Sequence, residues 1–214
     1  GGTVGETLDS LNEFDLLISS EIILPVSFNL YSQTGTIEGI RRIYSHPQAV
    51  AQCSRWLQAN LPETDIWEVS STTTAARMAA KNPRGAAIAG KEAGRLYKLK
   101  TIAERIEDLE NNFTRFLVIG YTQPSPSGRD KTSVLLSLKD QPGSLFNALE
   151  PIARRGINLS KIESRPLKGK TWEYLFFIDI DGHTEDKKLA KTLKEVSEHC
   201  IFLKVLGSYP RGMT

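Results

Sequence analysis

Only 2 cysteines, 2 methionines and 3 histidines occur in 214 residues, and 27 basic side chains nearly balance 25 acidic ones. Each scarcity excludes something. Cys53 and Cys200 lie far apart on either side of a Pro/Ser/Gly stretch, so both read as reduced thiols of a reducing, cytoplasmic compartment. His46, His183 and His199 have no partner at metal-ligand spacing and fit caps or surface positions. Without a Gly-x-Ser-x-Gly elbow or a Cys/His pairing, serine and cysteine hydrolase readings lack support. A formal charge of +2, with basic residues scattered, leaves no footprint for nucleic acid. No apolar run approaches the roughly 20 residues of a membrane span, and Gly1-Gly2-Thr3-Val4 does not open a signal peptide. What remains, 40% hydrophobic and 24% charged, is ordinary globular composition for one larger or two small domains.

The chain changes character at Asn111-Asn112-Phe113-Thr114-Arg115-Phe116-Leu117-Val118-Ile119-Gly120. This stretch follows an expected acidic helix, Ile102 to Glu110, and reads as a strand with Thr114 and Phe116 on one face and Arg115 on the other. Tyr121 to Lys131 is a linker, rich in Pro, Ser and Gly. The expected domains are therefore 1–120, with 121–131 as linker, and 132–214.

Before the linker, expected strands (16–26, 37–45, 67–69, 85–89) alternate with expected helices (6–14, 47–60, 75–81, 92–97). That order predicts an α/β domain with a mostly parallel sheet. After it, Val134, Leu136 and Leu138 alternate on a strand, and a helix runs from Ser144 to Arg155 with a kink or early end at Pro151. Gly156 stops that helix. Strand 157–165, turn 167–170, a strand alternating at Trp172, Tyr174, Phe176, Ile178 and Ile180, helix 185–199 and strand 201–206 complete a ferredoxin-like βαββαβ sandwich.

Three places carry possible chemistry. At Ser70-Ser71-Thr72-Thr73-Thr74, hydroxyls meet the free N–H groups of a helix start. This is either an N-cap or a carboxylate or phosphate site. Gly85 to Glu92 matches a phosphate-binding loop except at its last position, where Glu92 replaces the hydroxyl that would hold Mg²⁺; the loop is rejected as a nucleotide site. At Asp140-Gln141-Pro142-Gly143-Ser144, the amides of Gly143, Ser144 and Leu145 open a helix beside a carboxylate. This is again either a plain cap or a seat for a zwitterionic amino acid.

Gly1-Gly2-Thr3-Val4-Gly5-Glu6-Thr7, Ser45-His46-Pro47-Gln48-Ala49, Ser71-Thr72-Thr73-Thr74-Ala75-Ala76 and Asn112-Phe113-Thr114-Arg115-Phe116 resemble the prephenate dehydratases. Gly143-Ser144-Leu145-Phe146, standing for the family's Gly-Ala-Leu-Val, and Glu163-Ser164-Arg165-Pro166 resemble the ACT regulatory domain. The resemblance implies decarboxylative dehydration of prephenate to phenylpyruvate, without a cofactor or metal. It implies that Thr114 is catalytic, with Ser71, Thr72, Asn112, Arg115 and Phe116 binding substrate; whether Arg115 grips substrate or braces the site through an ion pair stays open. It further implies L-phenylalanine as effector between two ACT domains, on Asp140, Gly143, Ser144, Leu145, Asn158, Glu163, Ser164, Arg165 and Pro166, in a homodimer or tetramer.

The family's catalytic domain is two-lobed, like the type II periplasmic binding proteins. The abrupt start implies that residues 1–120 hold its second lobe and the returning Thr114 strand, with the first lobe largely missing and no room for fused chorismate mutase helices. Little or no dehydratase activity is then expected of this polypeptide alone. A catalytically inactive amino-acid sensor is the alternative reading; a secreted solute binder lacks a signal peptide.

Overall fold

A computed structural model describes residues 10–11, 13–109, 112–166 and 174–212. It divides into two compact units, Pro25–Thr114 and Gly1–Leu24 with Arg115–Thr214. Among the described residues no helix is long and apolar enough to cross a membrane.

The first of these units is built on a five-stranded sheet in the order β4-β3-β5-β2-β6. Its strands are β2 (Asn29–Ser32), β3 (Arg42–Ser45), β4 (Asp65–Glu68), β5 (Gly85–Ala89) and β6 (Lys100–Ala103). β3 runs parallel to β4 and β5, whereas β2 is antiparallel to β5 and β6. The sheet is thus mixed rather than mostly parallel, because β2 is an additional strand. Its four residues are all buried and show no alternation to betray them. The Asn29 side chain is satisfied inside, donating to the Tyr31 hydroxyl at 2.7 Å and accepting from the Arg105 amide at 2.8 Å.

The helices are α1 (Pro47–Gln52), α2 (Ser54–Asn60), α3 (Thr72–Ala79) and α4 (Lys91–Leu96). Small residues let them approach closely. Ala75, Ala76 and Ala79 pack with Ala87 and Ala89, and a Cβ on Gly94 would lie 2.6 Å from the Tyr31 ring.

Two expectations fail for one shared reason. The helix expected over 47–60 is broken at Cys53, and the acidic helix expected from Ile102 is β6 followed by irregular chain. The acidic side chains of that segment cap other elements instead. Asp108 accepts from the Ser54 hydroxyl at 3.0 Å and the Arg55 amide at 3.2 Å, opening α2, while its own amide donates to Gln52 O at 2.7 Å. Glu107 accepts from the Phe28 amide at 2.8 Å. A helix needs i to i+4 backbone bonds along its length, and here the backbone and carboxylates are engaged by distant partners.

The second unit has three layers. β8 (Asp130–Leu138), β9 (Leu159–Pro166), β10 (Tyr174–Asp181) and β11 (Phe202–Pro210) form an antiparallel sheet in the order β11-β8-β10-β9. With α5 (Ser144–Arg154) and α6 (Lys187–Glu198) this is the expected βαββαβ sandwich. Val134, Leu136, Ile178 and Ile180 face Ala148, Ile152, Leu189, Leu193 and Val196 from the helices. α5 continues past Pro151 to Arg154, so the expected early end does not occur; Pro151 is buried inside it. Gly156, at φ 59°, follows the helix as anticipated.

The other face of the sheet is covered by a ribbon of β1 (Leu17–Pro25) and β7 (Phe113–Gly120). Ile18 and Leu117 from the ribbon pack with Leu135, Leu175, Phe177, Leu206 and Tyr209. Gly207 makes this approach possible: at φ 146° it brings its backbone so near β1 that a Cβ would lie 2.2 Å from Ile18 O. The expected helix 6–14 lies mostly outside the described residues, as do turn 167–170 and Trp172.

Candidate functional site

β7 is the strand on which the candidate residues gather. Alternation puts Thr114 and Phe116 on its open face, and both are exposed, Phe116 by 50%. Asn112, just before β7, donates its side-chain amide to Gln52 Oε1 at 2.8 Å while its carbonyl accepts from the Val26 amide at 2.8 Å. Arg115 and Leu117 point the other way, toward the sandwich.

There Arg115 enters an ion-pair cluster, in line with the second of the two alternatives left open for it. Its Nε lies 2.5 Å from Glu21 Oε2, its Nη1 donates to Asp179 Oδ2 at 2.5 Å, and its Nη2 donates to the Tyr209 hydroxyl at 2.7 Å. Ser133 donates to Asp179 Oδ1 at 2.5 Å and shares a hydrogen bond with Tyr209. Lys131 Nζ reaches both oxygens of Glu21 at 3.0 Å, and the Gly212 amide adds a bond at 2.9 Å. Two partly exposed cations thus meet two buried carboxylates.

Burial works against the Arg115 cation, yet Asp179, Tyr209 and Glu21 outweigh it and raise its pKa. Burial alone would likewise lift the Glu21 carboxyl, but the Gly212 amide, Lys131 and Arg115 hold it below the ordinary value. Tyr209 is pushed up by burial and by the neighbouring Asp179 charge.

Ser71 is the N-cap of α3. Its hydroxyl accepts from the Thr74 amide at 3.0 Å and donates to Thr74 Oγ1 at 3.0 Å. Among the described residues the amides of Thr72 and Thr73 meet no acceptor, so a capped helix start with two open N–H groups is what a small anion would find.

A second helix start, at α5, is built differently. Gly143 takes the left-handed conformation at φ 84° and offers no side-chain cap. Three free amides were expected here, but the Ser144 N–H donates to Gln141 O at 3.2 Å, so those of Gly143 and Leu145 remain. Asp140 is exposed in the same turn. Asn158 donates to Asp181 Oδ2 at 3.3 Å. Glu163, Ser164, Arg165 and Pro166 lie on β9, an edge strand, where Ser164 and Pro166 are exposed and Glu163 and Arg165 are half-buried on the opposite face. Glu163 pairs with Lys161 at 3.1 Å.

Both cysteines are free, and burial pushes the thiols up, Cys53 to about 12 and Cys200 to about 11. Neither suits a nucleophile. Among the described residues no group of three or more His, Cys, Asp or Glu is placed to hold a metal ion.

Comparison with known proteins gives this arrangement a family. The profile of prephenate dehydratase matches residues 1–124 and that of the ACT domain residues 132–198. The chain belongs to the prephenate dehydratase family. A curated bifunctional chorismate mutase/prephenate dehydratase of Aquifex aeolicus is 47% identical over 212 residues, which cover 99% of this chain and 59% of that protein. This chain therefore spans about three fifths of that relative's length. The crystal structure of prephenate dehydratase from Arthrobacter aurescens in complex with L-Phe is 36% identical, with a TM-score of 0.86 over 98% of this chain and 71% of that one. A structure described as a novel type of quorum quenching acylase, GqqA, is 31% identical, with a TM-score of 0.85 over 99% and 78%. Such different descriptions on one architecture leave the chemistry to individual side chains.

Proposed function

We propose that the protein containing this chain is a cytoplasmic prephenate dehydratase, inhibited by L-phenylalanine. Prephenate loses its ring carboxylate as CO₂; the electron pair of the broken C–C bond enters the ring as the C–O bond breaks, and the departing hydroxyl takes one proton to leave as water. Aromatisation drives the step, so the protein need only hold a dicarboxylate and assist the leaving oxygen. Thr114 hydrogen-bonds that oxygen. Its own pKa is too high for it to be the ultimate proton source. Ser71 and Thr72 at the start of α3 hold a substrate carboxylate, with Asn112 and Phe116 beside the Thr114 strand. Residues 1–120 form the catalytic part, 121–131 the linker and 132–214 the regulatory domain.

The observation that carries this reading is the exposure of Thr114 on β7, within the Asn112-Phe113-Thr114-Arg115-Phe116 motif of a family member. Had its hydroxyl been packed in apolar core, it could not meet a substrate. The test is phenylpyruvate formation from prephenate by the whole protein and its Thr114→Ala variant, where a loss on the order of 100-fold in kcat is expected. Full activity in the variant refutes the role.

L-Phenylalanine is proposed to bind between two regulatory domains of a homodimer or tetramer. Its carboxylate meets the open amides at Gly143 and Leu145, with Asp140, Ser144, Asn158 and Glu163 to Pro166 around it. The Arthrobacter aurescens complex with L-Phe supports this effector. Gly143→Leu should abolish binding in calorimetry, because φ 84° strains any side chain and the added bulk covers the amides; unchanged affinity refutes the placement. Phenylalanine binding without any prephenate turnover would instead favour a non-catalytic sensor built on the intact sandwich.

A further inference from the structure

Thr114 and Arg115 are consecutive, so whatever fixes the guanidinium fixes the peptide carrying the hydroxyl to within one Cα step of about 3.8 Å. The two side chains leave β7 on opposite faces, which means that the hold on Arg115 does not obstruct the open side. Each of the three guanidinium nitrogens faces a different strand: Nη1 donates to Asp179 of β10 and Nη2 to Tyr209 of β11, while Nε lies against Glu21 of β1 as an ion pair without hydrogen-bond geometry. Ser133 of β8 then locks Asp179 and Tyr209 to each other. A guanidinium so placed has two nitrogens hydrogen-bonded and the third beside a carboxylate, and its planar fork suits these fixed groups as an ammonium would not.

We infer that Arg115 is a positioning residue rather than a substrate ligand, and that Glu21, Asp179, Ser133 and Tyr209 act through it to set the Thr114 hydroxyl. The inference rests on the role proposed for Thr114. It also joins that hydroxyl to the regulatory sheet. Asp179 stands opposite Lys161 of β9 at the place where the β9–β10 register slips, and Lys161 pairs with Glu163, one of the residues proposed around the effector. A shift of β9 on binding phenylalanine therefore reaches Asp179 first, and Arg115 next.

The test uses the whole protein with Asp179→Asn, Arg115→Lys and the double variant. Positioning predicts that kcat falls on the order of 10- to 100-fold in each single variant while KM stays within about twofold, and that the double variant is no worse than the poorer single. A rise in KM at constant kcat in Arg115→Lys would make Arg115 a substrate ligand and overturn the inference, as would multiplicative losses in the double variant. Amide hydrogen exchange provides a readout independent of turnover: β7 should exchange faster in Asp179→Asn while α3 is unchanged. Unaltered exchange in β7 overturns the inference even if the wild-type protein proves inactive on prephenate. That last outcome alone would sink only the dehydratase reading. Should Asp179→Asn fail to fold, Tyr209→Phe, which removes one acceptor and no charge, must show the same pattern at smaller amplitude.

Discussion

Polar side chains are handled in opposite ways by the two units. In the 25–114 unit the hydroxyls of interest stand at the rim: Ser71 caps α3, and Thr114 lies exposed at the end of the unit. The interior beneath α3 packs alanines against Tyr31 and Tyr44. In the other unit the polar groups are sealed between a sheet and a ribbon, where Glu21, Asp179, Ser133 and Tyr209 are all nearly or wholly buried. Rim hydroxyls can be removed without disturbing packing, and their value lies in what they touch from outside. Buried charges are tolerable only while every partner is present. The contrast separates the residues proposed to do chemistry from those proposed to hold it in place.

The largest effect should follow from breaking the buried set. Asp179→Ala leaves Arg115 under-compensated in a dry site and should cost about 3–5 kcal/mol in urea unfolding. A change below about 1 kcal/mol would mean that water reaches the cluster and that the contrast fails. Acid sharpens the same point. Because the Glu21 pKa is lowered in the folded state, its contribution is fully present above the ordinary glutamate pKa and is lost as pH falls through the lowered value. Glu21→Gln should therefore flatten the acid limb of the stability profile relative to the wild type.

Next in size is the packing of the other unit. Gly94→Ala puts a methyl 2.6 Å from the buried Tyr31 ring and should cost about 1–3 kcal/mol, measured as a lowered urea midpoint. An unchanged midpoint would show that α4 can slide, and that the packing around Tyr31 is looser than its geometry implies.

These positions also mark where sequence reasoning reached and where it stopped. The sandwich after the linker was legible because Val134, Leu136 and Leu138 alternate cleanly and the α5 and α6 stripes repeat at helical spacing. The region at 102–109 was misread because its acidic side chains look helical locally, while their partners, Phe28 and α2, are distant in sequence. The Thr114 motif could be recognised, but the purpose of Arg115 could not. Its partners come from three other strands, and alternation on β10 drew notice to Phe176, Ile178 and Ile180 rather than to the residues between them. The usable signal was a carboxylate interrupting an apolar strand, Phe176-Phe177-Ile178-Asp179-Ile180, since an unpaired carboxylate is not buried there.

Ser71→Ala should come third. It removes the hydroxyl that accepts from the Thr74 amide and should cost about 1 kcal/mol in urea unfolding. If the hydroxyl also binds a substrate carboxylate, KM for prephenate rises as well, and Ser71→Asn, which can still cap, restores stability without restoring KM. Recovery of both together would reduce Ser71 to a cap.

The smallest effect on stability is expected where the effect on turnover is greatest. Thr114 is exposed and makes no core contact, so Thr114→Ala should shift unfolding by no more than about 0.5 kcal/mol. Asp179→Ala is the contrasting case, a residue that touches no substrate yet costs stability as well as turnover. Measuring both variants by urea unfolding and by kcat separates them on the stability axis, since both lose turnover. If Thr114→Ala instead proved as destabilising as Asp179→Ala, its hydroxyl would be bracing β7 from the open side, and any loss of turnover would lose its chemical meaning.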